Sequence, residues 1–335
     1  MIDSILAECQ ALFPDWAARS VTDFEFDDPK GFSSFTMGIR ARVPADPPAL
    51  LYRRLAGKEN AILDFDAEKS VFLTLGRAGI AAHCHHYTRD CRIEAFHQGR
   101  SLVRQDLFEP ETLRLIADQL YRLHQLEPAG LPEQGFFDLL HDKWTPIAQR
   151  VLEREIDAFP ANEQAMCEDL RAIYSEETRA RVLANLPEGE FGFCHNDTYH
   201  GNVMKLDSGE IRLVDFEFSC RNHRAYDFAS LFAETVMRHQ QTDYPYFSIA
   251  EPEFSDRELG LLIGFYLDNR RYANDAGREA DASRLLADTR RMLKLVDYKY
   301  AMAALPLALN PIQKIRFIPY AWQRFFKFLA ACEQD

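Results

Sequence analysis

Apolar residues recur along this chain with two periods. Residues 2–13 carry them at helical spacing and stop before Pro14. Val21 to Phe26 alternates apolar and polar positions, as a half-buried strand does. Asp27-Asp28-Pro29-Lys30-Gly31 reads as a turn, followed by predicted strands over Thr36–Val43 and Ala49–Leu55. Asn60 to Ala78 shifts to helical spacing through Ile62, Leu63, Phe65, Val71, Phe72 and Leu75. Ile80–Tyr87 and Arg92–His97 return to strand character. From Glu109 the helical period dominates. Glu111–Leu126 is one such helix, and 138–157, 163–183, 225–239, 256–271 and 280–303 are others, with Pro128, Pro132, Pro160 and Pro187 between elements. A strand-rich first third thus precedes a helical remainder, without repeats or low-complexity segments.

Composition adds limits. The 335 residues suffice for two lobes or two small domains, and 47% apolar with 27% charged residues is ordinary for a soluble globular chain. A net charge of −13 disfavours nucleic acid or an anionic membrane as the main partner. Seven scattered cysteines with no Cys-x-x-Cys pair imply reduced thiols and a cytoplasmic location. The acidic N-terminal octet lacks a signal-peptide layout, and no apolar run approaches about 20 residues, so no membrane span is expected. His83, His85 and His86 invite a metal reading, but alternation separates His86 from the other two and no acidic or cysteine partner has useful spacing.

The chemistry concentrates in Cys194-His195-Asn196-Asp197-Thr198-Tyr199-His200-Gly201-Asn202 and Arg212-Leu213-Val214-Asp215-Phe216-Glu217. Phosphoryl transfer to an alcohol needs a carboxylate beside the attacking hydroxyl. It also needs an amide oxygen and a second carboxylate to hold the Mg²⁺ that bridges nucleotide phosphates. Asp197 is the expected base. Asn202, five residues later, and Asp215, at a strand end thirteen residues beyond that, are the expected metal ligands. Glu217 could add to the metal or its water shell. Turn-forming Asn, Asp and Gly would account for any one of these residues alone, but not for the whole constellation.

These residues, with the continuation Phe216-Glu217-Phe218-Ser219, Asn222, Arg224-Ala225-Tyr226-Asp227-Phe228, Phe232-Ala233-Glu234 and Tyr244-Pro245-Tyr246-Phe247, resemble the choline/ethanolamine kinase family. That family lies within the aminoglycoside-phosphotransferase-like group of kinase folds. The resemblance extends more loosely from about Gly31 to Phe328. It implies an α+β, two-lobed protein-kinase-like fold: a small antiparallel-sheet N-lobe over residues 1–98 and a mainly helical C-lobe over 99–335. It implies ATP and Mg²⁺ as cofactors. Ser33 and Ser34 fall in the expected phosphate loop, and Ala95 and His97 in the hinge that would meet adenine through main chain. Arg54, three residues before Gly57, matches the strand cation, and Glu68 the glutamate that steadies it. Alternation sends Arg53 to the opposite face, so only one of the two arginines should enter the cleft. His195 and Asp227 support the catalytic loop. Asp227 and Glu234, seven residues apart, should share one face of the 225–239 helix, with Glu234 near the substrate amine.

On the acceptor side the resemblance thins. Where the family places two tryptophans, this chain has Tyr300 and Ala303, and Thr235 and His239 stand where aromatics are favoured. Phe317, Tyr320 and Trp322-Gln323-Arg324-Phe325 still resemble the closing helix. The implied partner is a small cationic alcohol, choline or ethanolamine in type, with a homodimer as candidate assembly. The incomplete aromatic box keeps open another hydroxylated cation, such as thiamine, an aminoglycoside or an amino sugar. A nucleotide-binding pseudokinase is the reading from another class, and the presence of Asp197, Asn202 and Asp215 argues against it.

Overall fold

The computed structural model describes residues 2–28, 35–55, 61–239, 241–250, 254–310 and 315–334, the side chain of His239 excepted. Strands β1 (Phe24–Phe26), β2 (Thr36–Ala41), β3 (Ala49–Arg54), β4 (Cys84–Tyr87) and β5 (Cys91–Ala95) form one antiparallel sheet in the order β1-β2-β3-β5-β4. One face carries Met37, Ile39, Leu50, Tyr52 and Ile93 into a core shared with Ile5, Leu6 and Cys9 of α1 (Ile2–Gln10) and Trp16 of the short α2 (Pro14–Ala17). Alternation in β3 therefore sends Leu51 and Arg53 to the other face. That face meets α3 (Phe65–Arg77), whose N-terminus is capped by the Asp64 carboxylate accepting from the Ala67 N–H at 2.9 Å.

At Gly99 the chain leaves the first sheet. Strand β6 (Gly99–Ser101) pairs with β8 (Val203–Leu206), which pairs with β9 (Ile211–Leu213). A Cβ at Gly99 would lie 2.4 Å from the Lys205 carbonyl oxygen, so only glycine lets the strands close. Helices α4 (Pro110–His124), α5 (Phe136–Gln149), α6 (Ala161–Leu170), α7 (Glu176–Ala184), α8 (Ala225–Ala233), α9 (Asp256–Asp268), α10 (Asp275–Leu307) and α11 (Phe317–Cys332) build the rest. A two-stranded ribbon of β7 (Phe191–Cys194) and β10 (Cys220–His223) leads into the segment that bears Asp197 and Asn202. A second ribbon joins β11 (Met237–His239) to β12 (Phe247–Ile249).

Several elements differ from the sequence expectation. The helix expected over 163–183 is broken at Ser175, whose hydroxyl caps α7 by accepting from the Thr178 N–H at 3.1 Å. The helix expected over 225–239 ends at Ala233. Glu234 begins a single 3-10 turn, and β-branched Thr235 and Val236 lead into β11. Asp227 and Glu234 consequently do not project from one continuous helix.

Candidate active site

Asp227 organises the loop that bears Asp197. Fully buried, it accepts from the backbone N–H groups of His195 and Asn196, both at 2.8 Å, and from Nε2 of buried His124 at 3.0 Å. Burial alone would raise its pKa, but His124 and the amide donors outweigh it and hold the carboxyl below its ordinary value. Because the Asp227 carboxylate can only accept, Nε2 carries the proton, and His124 Nδ1 accepts from the Tyr266 hydroxyl at 3.0 Å. Asn196 adopts a left-handed backbone, φ 65°, with its side chain bonded to the Phe218 carbonyl and to Asn222.

The metal-binding candidates are anchored to the same loop. Val214 donates its N–H to the Asn202 carbonyl at 3.0 Å, and its own carbonyl accepts from His195 Nε2 at 3.1 Å. The residue before Asp215 is thus tied to both the His195 and Asn202 ends of the loop. Asp215 then turns into the left-handed region, φ 67°, a conformation costing a non-glycine residue about 1–3 kcal/mol and concentrated at functional sites. Asn202 Nδ2 donates to Asp197 Oδ2 at 2.8 Å and to the Asp197 carbonyl at 3.0 Å, which leaves its amide oxygen as the atom for a metal.

Arg53, not Arg54, enters the cleft. Its Nη1 bonds Asp215 Oδ1 at 3.0 Å and its Nε lies 4.0 Å from Glu94. Arg54 sits exposed on the opposite face, its guanidinium 5.2 Å from the Phe35 ring centroid. Burial would lower the Arg53 pKa, but Asp215 and Glu94 raise it and keep the side chain cationic. Arg53, Glu68, Arg92, Asp215 and Glu217 line one recess, so Glu68 and Glu217 do converge with the arginine. Glu94 also receives Arg92 Nε at 2.6 Å.

At the expected hinge, the Ala95 N–H donates to the His83 carbonyl at 2.8 Å and is not free for a ligand. His97 has a buried Nε2 without a partner among the described residues, and burial pushes its pKa down. Ser33 and Ser34 lie outside the described residues. The histidines 83, 85 and 86 join no metal-like cluster among the described residues. The one such cluster among the described residues is His124–Cys194–Asp227, in which His124 bonds Asp227 and the Cys194 thiol donates to the Asn222 carbonyl at 3.4 Å.

On the acceptor side, Tyr300 donates its hydroxyl to Asp197 Oδ1 at 2.7 Å, and the ammonium of Lys299 bonds the same oxygen. Glu234 is bound by Arg324, whose other arm donates to Asp297 at 2.6 Å. Arg324 also donates to the Tyr320 hydroxyl at 3.1 Å. Burial raises the Glu234 pKa against the pull of Arg324. Phe317 is buried in the core at the start of α11, and Tyr320 packs edge-on to Phe247 at 5.3 Å. Sequence reading missed Lys299, Asp297, Arg53, Glu94 and His124. The signal for the first two was present: Lys294, Asp297 and Lys299 are charges embedded in the apolar stretch of α10, where all three are buried.

A sequence model described as choline/ethanolamine kinase matches residues 38–329. The chain belongs to the choline/ethanolamine kinase family. Among its relatives it is 25% identical over 238 residues to the choline/ethanolamine kinase of Rattus norvegicus, covering 68% of this chain and 58% of that protein. It is 31% identical over 144 residues to probable choline kinase 2 of Arabidopsis thaliana, covering 43% and 39%. The aligned regions thus span about half of those relatives' length. A crystal structure of choline kinase from Cryptosporidium parvum superposes with a TM-score of 0.78 at 18% identity, covering 100% of this chain and 96% of that one. That likeness establishes the two-lobed kinase-like fold.

Proposed function

We propose that this chain transfers the γ-phosphoryl group of ATP, as its Mg²⁺ complex, to the hydroxyl of a small amino alcohol of the choline or ethanolamine type. The observation that carries this reading is the double tie on Val214, which holds Asp215 against the loop of Asp197 and Asn202. Asp197 serves as base. Its Oδ2 accepts only the Asn202 amide among the described residues and retains a lone pair for the acceptor hydroxyl. The Asn202 amide oxygen, Asp215 and Glu217 form an all-oxygen donor set, the kind Mg²⁺ takes. Arg53 Nε, buried in the same recess with no hydrogen-bond acceptor among the described residues and Glu94 only at ion-pair distance, suits a phosphate oxygen. The bound ion would neutralise charge developing on the transferred group. Glu68 lines the phosphate side, the Ala95–His97 segment the adenine side, and Glu234, Tyr300 and Tyr320 the acceptor side. Seven free cysteines support a cytoplasmic setting.

Phosphorus NMR of the protein with ATP, Mg²⁺ and either ethanolamine or choline tests the reading. A new phosphomonoester signal is expected. Its absence across a panel of amino alcohols would refute the assignment.

A further inference from the structure

The acceptor side of the site already contains an ammonium group. Lys299 is fully buried on α10 and bonds Asp197. Its Nζ lies 3.7 Å from the Tyr300 ring centroid and 4.5 Å from that of Phe218. Aromatic faces beside a carboxylate are what a small quaternary cation requires. Behind Lys299, Arg324 joins Glu234 to Asp297, and Lys327 at the rim reaches Asp297 at 3.0 Å. Three buried carboxylates, Asp197, Glu234 and Asp297, therefore face three cations, Lys299, Arg324 and Lys327. An incoming cation meets no surplus negative charge among these pairs.

We propose that Lys299 is a specificity-determining residue that holds the cation position of the acceptor pocket and so selects against quaternary ammonium alcohols. The proposal rests on the reading of this site as an amino-alcohol kinase. A trimethylammonium head has no N–H to donate, so it depends on the ring faces of Phe218 and Tyr300. Lys299 covers both and repels a second fixed charge at close range. A primary ammonium is handicapped less, because it can donate to a remaining carboxylate lone pair without a ring face.

The test titrates tetramethylammonium, which has no hydroxyl and cannot react, into the full chain by ligand-observed NMR. Wild type, Lys299→Ala and Lys299→Arg are compared, with thermal melting to establish that each is folded. Wild type and Lys299→Arg should bind weakly, and Lys299→Ala about tenfold tighter or more. Equal affinity in wild type and Lys299→Ala, or tight binding by Lys299→Arg, would overturn the proposal. A wild-type measurement needs no variant: tetramethylammonium at ten times the ethanolamine KM, an approximate ceiling set by the same tenfold step, should leave ethanolamine turnover unchanged. Competitive inhibition below that concentration would also overturn it. Loss of all amino-alcohol turnover in wild type would count against the proposed function instead, and the binding comparison would still report on Lys299.

Discussion

Arg53 and Arg54 are neighbours in sequence but face opposite sides of the sheet. The spacing to Gly57 favoured Arg54, whereas packing decided otherwise. Leu50 and Tyr52 belong to the core under α1, so the alternate positions Leu51 and Arg53 turn to the cleft. That pattern was legible in the sequence, provided the buried face of β3 was known. The motif residues were legible for a simpler reason: His195, Asp197 and Asn202 sit within one loop, where spacing alone sets geometry. Lys299 was not, because it reaches Asp197 from 102 residues away. We predict that Arg53→Ala weakens Mg²⁺-nucleotide binding by at least about tenfold, the scale of a lost hydrogen bond to a charged group, and that Arg54→Ala changes it little. Fluorescent-nucleotide titration would show the order; the reverse order would restore Arg54. Asp227 supplies a pH prediction. Its folded pKa lies below the unfolded value near 4, so its stabilisation is complete above that value and is lost as pH falls through the folded pKa. Tm measured from pH 6 to 3 should fall in wild type and fall less steeply in Asp227→Asn, which should also lose about 1–3 kcal/mol at neutral pH. Parallel acid limbs in the two proteins would contradict the brace.

Element boundaries follow local chemistry where a cap or breaker is present. Asp64 and Ser175 start helices by accepting backbone N–H groups, and Ser255 does so with Glu258 completing a capping box. The end of α8 was harder to read. Its helical period runs on past Ala233 in sequence, but Glu234 is drawn to Arg324 of α11 and the chain continues as β11. The β-branched Thr235 and Val236 mark that boundary locally, and the Glu234–Arg324 contact adds a tie between distant elements. The start of the β6–β8 pairing has a local signature in Gly99. Gly99→Ala places a Cβ against the Lys205 carbonyl and should cost about 1–3 kcal/mol by overpacking. Urea unfolding monitored by circular dichroism would read this as a lower midpoint; an unchanged midpoint would mean that β6 and β8 can separate at no cost.

Across the whole molecule, the site is assembled between the two lobes. The N-terminal sheet contributes Arg53, the loop between β7 and β8 contributes Asp197 and Asn202, and the segment after β9 contributes Asp215. α10, packed against α8 and α11, brings Lys299 and Tyr300 to Asp197. On the proposed function, Asp197 accepts the proton of an amino-alcohol hydroxyl during transfer from ATP. Asp197→Asn tests it better than Asp197→Ala, because the amide keeps an oxygen for buried Lys299 and leaves less charge unpaired. The measurement is kcat for ATP-dependent phosphorylation of ethanolamine, in wild type and Asp197→Asn, alongside nucleotide affinity for both. A fall of about 10²–10⁴-fold in kcat is expected, with nucleotide affinity nearly unchanged. A variant that retains wild-type kcat would contradict it.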